Sequence, residues 1–205
     1  MAGFEAIAVT SRAILGVIED ARPADFERAR FRLFQSVDMD SPREGFAEGI
    51  SLYLYRVTFN TTRRNMPPRR DPITGTRRRP PVPLDLHFLL TAWAADAGQQ
   101  QRLLGWAVRT LEDTPILPAG FLNRFAPGGQ DVFEPSETVE LVGETLTLQD
   151  LENIWEVAKA RQQPSLGYVA RQVAIDSTLD SSEEGQVHAR AVQTRESGTG
   201  TLLPV

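Results

Sequence analysis

Asp85 and His87 are the residues of this chain whose types and spacing come nearest to a reaction site. Two apart on an alternating segment, they share one strand face, the arrangement of a partial metal site or of an Asp–His pair. A third ligand is not evident beside them, and a satisfied polar pair on a half-exposed face accounts for both residues. The only other histidine is His188, in a polar tail, and the 205 residues include no cysteine. That removes disulfides, thiolate nucleophiles and cysteine metal sites together. No G-x-S-x-G elbow, Walker loop or strand-following G-x-G-x-x-G occurs. Gly128-Gly129 reads as loop punctuation, and the carboxylates of residues 131–156 lack the spacing of a calcium loop. The expectation is a protein that is not an enzyme and takes no metal or cofactor.

A second chemistry is that of guanidinium groups. The stretch NTTRRNMPPRRDPITGTRRRPPVP, residues 60–83, holds seven arginines (Arg63, Arg64, Arg69, Arg70, Arg77, Arg78, Arg79), six prolines and one acidic residue, Asp71. Six prolines remove six backbone donors and bias the segment towards extended conformations, so it cannot simply lengthen a hairpin. The arm carries a charge of +6 in a chain whose net charge is -5, leaving -11 for the rest. Residues 131–156 supply eight carboxylates and no Lys or Arg, Glu134, Glu137, Glu140 and Glu144 among them.

Arginines grip phosphates and also pair bidentately with carboxylates. Three readings of the arm follow: a solvated loop, a nucleic-acid contact, or a docking element for an acidic surface on a neighbouring subunit. No aromatic residue interleaves the arginines for base stacking, and the overall charge is negative, so nucleic acid is disfavoured. The separate acidic stretch makes docking concrete, with Glu134, Glu137, Glu140 and Glu144 as its acidic side. The run Arg77–Pro83 also fits a generic basic PxxP pattern, common in proline-rich loops.

The elements that must position these groups read as a mixture of helices and strands. Phe4, Ile7, Ala8, Ser11, Ile14, Leu15 and Ile18 recur at spacings of three and four and predict a helix that Pro23 limits. A short strand is expected at Arg30–Val37, followed by the turn-rich SVDMDSPREG. Ile50–Asn60 predicts a long central strand, with Ile50, Leu52 and Leu54 on one face and Tyr53, Tyr55, Val57 and Phe59 on the other. Leu84–Trp93 alternates more cleanly, and the two strands are expected to pair with the arm joining them. Gln99–Glu112 predicts a second helix, stopped by Pro115 and Pro118. Thr138–Val142 is a short strand, and Thr147-Leu-Gln-Asp150 is a capping box opening a third helix through Trp155. Ser165–Ile175 closes as a strand with Val169, Val173 and Ile175 on one face. Trp93, Trp106 and Trp155 are expected in core or interface packing.

The pattern predicts an α+β fold with a mainly antiparallel sheet packed with helices. Residues 1–177 form one domain including the arm at 61–83, and residues 178–205 form a polar tail ordered only by a partner. No apolar window approaches the ~20 residues of a membrane span. The N terminus carries Glu5 and lacks the basic region of a secretory signal, and these features predict cytoplasmic synthesis and no membrane partner.

Four blocks carry a resemblance: LDLHFLLTAWAAD, QQQRLLGWAVRTLEDTPILP, VELVGETLTLQDLENIWEVA and LGYVARQVAIDS. In order and spacing they resemble the tail-terminator (cap) proteins of phage-tail-like contractile injection systems, over about residues 4–177. The resemblance implies a small α+β protein that assembles as a ring, with six copies expected, on the end of the inner tube and sheath. It implies that the ring halts tube polymerisation and anchors the last sheath layer. It also implies a particle assembled in the cytoplasm and either kept there or released. A closing ring needs two different, complementary patches on each copy, and the basic arm and acidic stretch are offered as that pair.

Overall fold

The computed structural model describes residues 3–40, 46–63, 68, 75 and 77–179. In chain order the elements are α1 (Ala6–Asp20), β1 (Arg30–Phe34), α2 (Ser36–Asp40), β2 (Gly49–Phe59), β3 (Val82–Trp93), α3 (Ala97–Glu112), β4 (Ile116–Pro118), α4 (Ala119–Leu122), β5 (Thr138–Glu144), α5 (Leu148–Val157) and β6 (Ser165–Ile175). Short 3-10 turns link several of them.

Six strands form one mixed sheet in the order β1-β2-β3-β6-β5-β4. β1 lies parallel to β2 at one edge, and the other four pairings are antiparallel. β2 and β3 are direct neighbours, so the arm does join two paired strands. Gly49 makes the parallel edge possible. A Cβ there would meet the Arg30 carbonyl oxygen at 2.0 Å, so only glycine lets the two backbones approach.

Helices cover both faces of the sheet. On the first face, α1 and α3 pack over Ile50, Leu52, Leu86, Phe88, Leu90, Leu141 and Ala170 to form the larger core. α1 is buried nearly all round, with Val9, Ala13, Ile14 and Ile18 inaccessible. Its stripe begins later than the spacing predicts, because Phe4 precedes the helix and is 81% exposed. On the second face, α5 closes a smaller core in which Trp155 meets Leu89, Phe34, Met39 and Phe46. Trp93 stacks edge-on against Trp155 and donates its indole N–H to Ser51 Oγ at 2.8 Å. Trp106 packs against Phe26 and Phe31.

The helix starts follow local chemistry. Asp96 accepts the Gln99 N–H at 2.9 Å at the head of α3. Thr147 and Asp150 form the reciprocal capping box of α5, with Thr147 Oγ1 accepting the Asp150 N–H and the Asp150 carboxylate accepting the Thr147 N–H. Three short elements depart from the pattern reading. β1 stops at Phe34, where the Asp38 carboxylate accepts the Gln35 N–H and a turn of helix follows. Ile116–Pro118 is a strand despite its proline, because a sheet edge needs no donor on its outer side. α4 follows it directly.

Two bulges overturn the face assignments. The β2–β3 register shifts between Leu54 and Arg56, so Val57 faces Leu86 and Phe59 faces Leu84 on the first face, together with Leu52 rather than opposite it. The β3–β6 register shifts between Leu84 and Leu86, which moves Val173 and Ile175 to the first face while Val169, opposite His87, stays on the second. An inserted residue inverts every later position, and alternation read along one strand cannot register it.

Candidate protein-interaction surfaces

Asp85 and His87 do share a face, but they do not act on each other. His87 Nδ1 lies 3.0 and 3.1 Å from the two carboxylate oxygens of Glu144, and Nε2 lies 3.1 Å from Thr58 Oγ1. Arg56 Nη2 lies 3.1 Å from the same Nδ1, so this ring nitrogen sits between a carboxylate that accepts and a guanidinium that donates. Glu144 also accepts from the Tyr55 hydroxyl at 2.6 Å and from Arg56 at 3.2 Å. Burial, then the hydrogen bond and charge of Glu144, raise the Tyr55 hydroxyl well above its ordinary value, so it stays a donor. The bulge that displaces Val57 is what brings Tyr55 and Arg56 to this carboxylate together.

Thr58, His87 and Glu144 stand in the order of a nucleophile, base and orienting acid. Their surroundings are those of a closed network. Thr58 sits within the strand ladder opposite Asp85, where backbone N–H groups are used in pairing, and His87 is buried beneath Arg56 and Tyr55. The grooves at the arm root and beside β1 are lined by other residues. Among the described residues no group of three His, Cys, Asp or Glu side chains is placed to hold a metal ion.

Asp85 serves the root of the arm instead. Its carboxylate accepts from Asn60 Nδ2 at 3.0 Å and from the backbone N–H of Gln172 at 3.1 Å. Gln172 is the bulged residue of β6, with φ of 66°, and its displaced N–H would otherwise lack a ladder partner. Asn60 is buried and makes two further bonds: its N–H donates to the Pro83 carbonyl, and its Oδ1 accepts from the Arg63 N–H. One asparagine thus ties the departing strand to the returning one and starts the turn Thr61–Arg63.

Of the arm arginines, Arg64, Arg69 and Arg70 lie outside the described residues. Arg63, Arg77 and Arg79 are exposed and Arg78 is half-buried. The Arg79 N–H donates to the Leu179 carbonyl at 3.3 Å, so the returning arm runs beside the segment after β6. Residues 180–205, most of the polar tail, lie outside the described residues.

The four acidic residues are not one patch. Glu144 belongs to the His87 network, and Glu140 faces Arg171 across the β5–β6 ladder at 4.0 Å. Glu137 closes the turn before β5, its carboxylate accepting the Glu134 N–H at 2.7 Å. Glu137 and Arg63 line the same groove of about 300 Å³, with Phe133 and Gln172, so acidic and basic segments adjoin within one copy. Glu152 and Glu156, on the outer side of α5, are exposed. They were legible as acidic residues at helical spacing, i and i+4, on the polar side of an amphipathic segment.

These features define an α+β structural domain with grooves, exposed apolar strand ends and charged segments. The chain belongs to the Pvc16 N-terminal domain family, whose model matches residues 16–189. Among solved structures it is similar to the sheath/tube terminator of the PVC extracellular contractile injection system in its extended state, with 17% identity and a TM-score of 0.58 over 96% of this chain. It is also similar to the tube-terminating cap of the anti-feeding prophage, with 16% identity and a TM-score of 0.49 over 92% of this chain. The chain spans 65% and 59% of the length of those two proteins. No curated protein matches the sequence. Among the described residues no helix is long and apolar enough to cross a membrane.

Proposed function

We propose that this protein is a terminator of a contractile injection system, binding the end of the inner tube and sheath as a ring. The observation that carries this reading is the family match over residues 16–189. A fold shared with a sheath/tube terminator across nearly the whole chain supports it. The mechanism is capping by occupation: the protein docks on the last tube layer and offers no equivalent surface for another. Its contact with the last sheath layer anchors that layer. Six copies of the 22.8 kDa chain would form a ring of about 137 kDa. The particle is assembled in the cytoplasm.

The arm is read as the element that joins copies or layers. Individual exposed ion pairs contribute only about 0–1 kcal/mol, so the arm sets docking rate and register while apolar contacts hold the ring. The test is to image filament ends assembled with and without the protein. Uniform, closed ends are expected in its presence and ragged or overlong tubes in its absence; tubes that end identically in both cases would refute the reading.

A further inference from the structure

The two edges of the sheet are finished differently. β4 is three residues long, ends in Pro118 and runs straight into α4; proline has no N–H to offer a further strand. β1 contains neither proline nor bulge. The Arg30 N–H donates to the Glu48 carbonyl at 3.0 Å. In a parallel ladder that turns the backbone groups of Arg30, Arg32 and Phe34 towards β2 and those of Phe31 and Leu33 away from it.

The neighbours along this outer side are already served. The Ala29 N–H donates to the Phe26 carbonyl at 2.9 Å, and the Ala29 carbonyl accepts from Arg22 at 3.3 Å. The Gln35 N–H donates to the Asp38 carboxylate at 2.9 Å. Between them, no hydrogen bond from the described residues reaches the outward N–H and C=O of Phe31 or Leu33. Leu33 is 40% exposed. A groove of about 210 Å³ lies against Arg32, Leu33, Phe34 and Gln35 and ends at Asp38. An unpaired stretch beside an open groove is a template for one more strand.

Cations frame that stretch. Arg22 lies over the Phe31 ring, its guanidinium 5.9 Å from the centroid, and Arg32 lies over Phe46 of the second core at 5.8 Å. Arg30 is exposed and shares the side of Arg32. The carboxylate of the groove, Asp38, is buried and engaged by the Gln35 N–H. These charges oppose antiparallel pairing of two β1 strands. Such a pair uses every outward group only when Phe31 of each copy faces Leu33 of the other, and that register sets Arg32 against Arg32. Like charges directly opposite destabilise a strand pair.

We infer that the outer side of β1 takes an extended, acidic strand of another protein into the sheet. Its backbone pairs with Phe31 and Leu33, a carboxylate stands opposite Arg32 on the second face, and an apolar side chain covers Leu33 on the first. Main-chain bonds give such a contact its affinity, and alternate side chains give it selectivity. The inference goes beyond the capping reading, adding a main-chain attachment that involves neither the arm nor the His87 network.

Amide exchange of the full-length protein, read residue by residue, is the test. Alone, Phe31 and Leu33 should exchange about tenfold faster, or more, than Arg32 and Phe34. A short synthetic peptide alternating glutamate and valine, at about 1 mM, should slow Phe31 and Leu33 about tenfold and leave Arg32 and Phe34 as they were. A peptide alternating lysine and valine should not. Equal protection by both peptides, or none by either, overturns the inference. Protection that appears on concentrating the protein without peptide also overturns it, by assigning the edge to a second copy. Leu33→Pro removes an outward N–H and leaves the β2 ladder its own groups. With an unchanged circular dichroism spectrum it should abolish the protection of Phe31, and retained protection refutes the pairing. Arg32→Glu leaves the backbone unaltered, so it decides the matter even if the proline variant does not fold: it should transfer the preference to the lysine peptide, and an unaltered preference refutes the assignment. On filament ends the same amides should be protected. Capped ends with both amides still exchanging fast overturn the inference and leave the capping reading intact, whereas peptide protection together with uncapped ends removes the capping reading alone.

Discussion

Replacing Asp85 by alanine tests whether the arm root is clamped as the geometry requires. The carboxylate is the acceptor for the Asn60 amide and for the N–H of Gln172, the displaced residue of the β6 bulge. Asn60 is 5% exposed, so water cannot fully replace the lost partner. A hydrogen bond to a charged acceptor is worth about 1.5–3 kcal/mol, and a buried donor left unmade costs about 1–3 kcal/mol. The two bonds share one acceptor group and are not additive, and Asp85 is only half-buried, which together place the loss at about 2–4 kcal/mol. For a chain of this size that lowers the melting temperature by about 5–15 °C. Thermal unfolding followed by circular dichroism reads the global cost, and amide exchange at Gln172 reads the local one. Asp85→Asn keeps an acceptor for Gln172 and should lose less. A stability loss under about 0.5 kcal/mol for Asp85→Ala, with Gln172 still protected, would show that the clamp does not hold the bulge.

Gly49→Ala forces a Cβ onto the Arg30 carbonyl and should cost about 1–3 kcal/mol or more by displacing β1, measured by urea unfolding; a neutral effect would mean the edge strand is loosely held. Trp155→Ala removes the centre of the second core and should cost about 3–5 kcal/mol. The Asp150 carboxyl is held below its ordinary range by the Thr147 hydroxyl and N–H. Its contribution is therefore present above the unfolded value and lost as pH falls through the folded one. Thr147→Ala should move its NMR titration back up, and an unmoved titration would contradict the capping box. The Tyr55 and Tyr168 hydroxyls are raised above 10.0, first by burial and then by Glu144 and Glu112 respectively. The unfolded chain ionises them first, so stability should fall as pH rises from about 10; ultraviolet titration with Tyr55→Phe as control checks this.

Much of the architecture is readable from local pattern because its causes are local. The apolar spacing of α1 and α3, the Thr147–Asp150 box and the runs of β2, β3 and β6 act within a few residues, and they predict the elements nearly to their ends. The Asp85–His87 spacing correctly places both side chains on one face. Their partners are Asn60, Thr58, Glu144 and Gln172, up to 87 residues away in sequence, and no spacing rule connects these. Glu140 and Glu144 read as free acidic residues in sequence because their cations, Arg171 and Arg56, arrive from other strands.

By itself the sequence determined the alternation of helices and strands, the absence of cysteine chemistry, the concentration of arginine and proline in one arm, and the ordered blocks that mark the family. Tertiary structure alone decided the parallel edge at β1, which glycine permits by contact with a strand nineteen residues earlier. It alone decided the two bulges as well. A bulge is a mismatch in count between two paired strands, a property of the pair that neither strand carries alone. That mismatch turns Phe59 and Val57 outward on the first face and gathers Tyr55, Arg56 and His87 around Glu144.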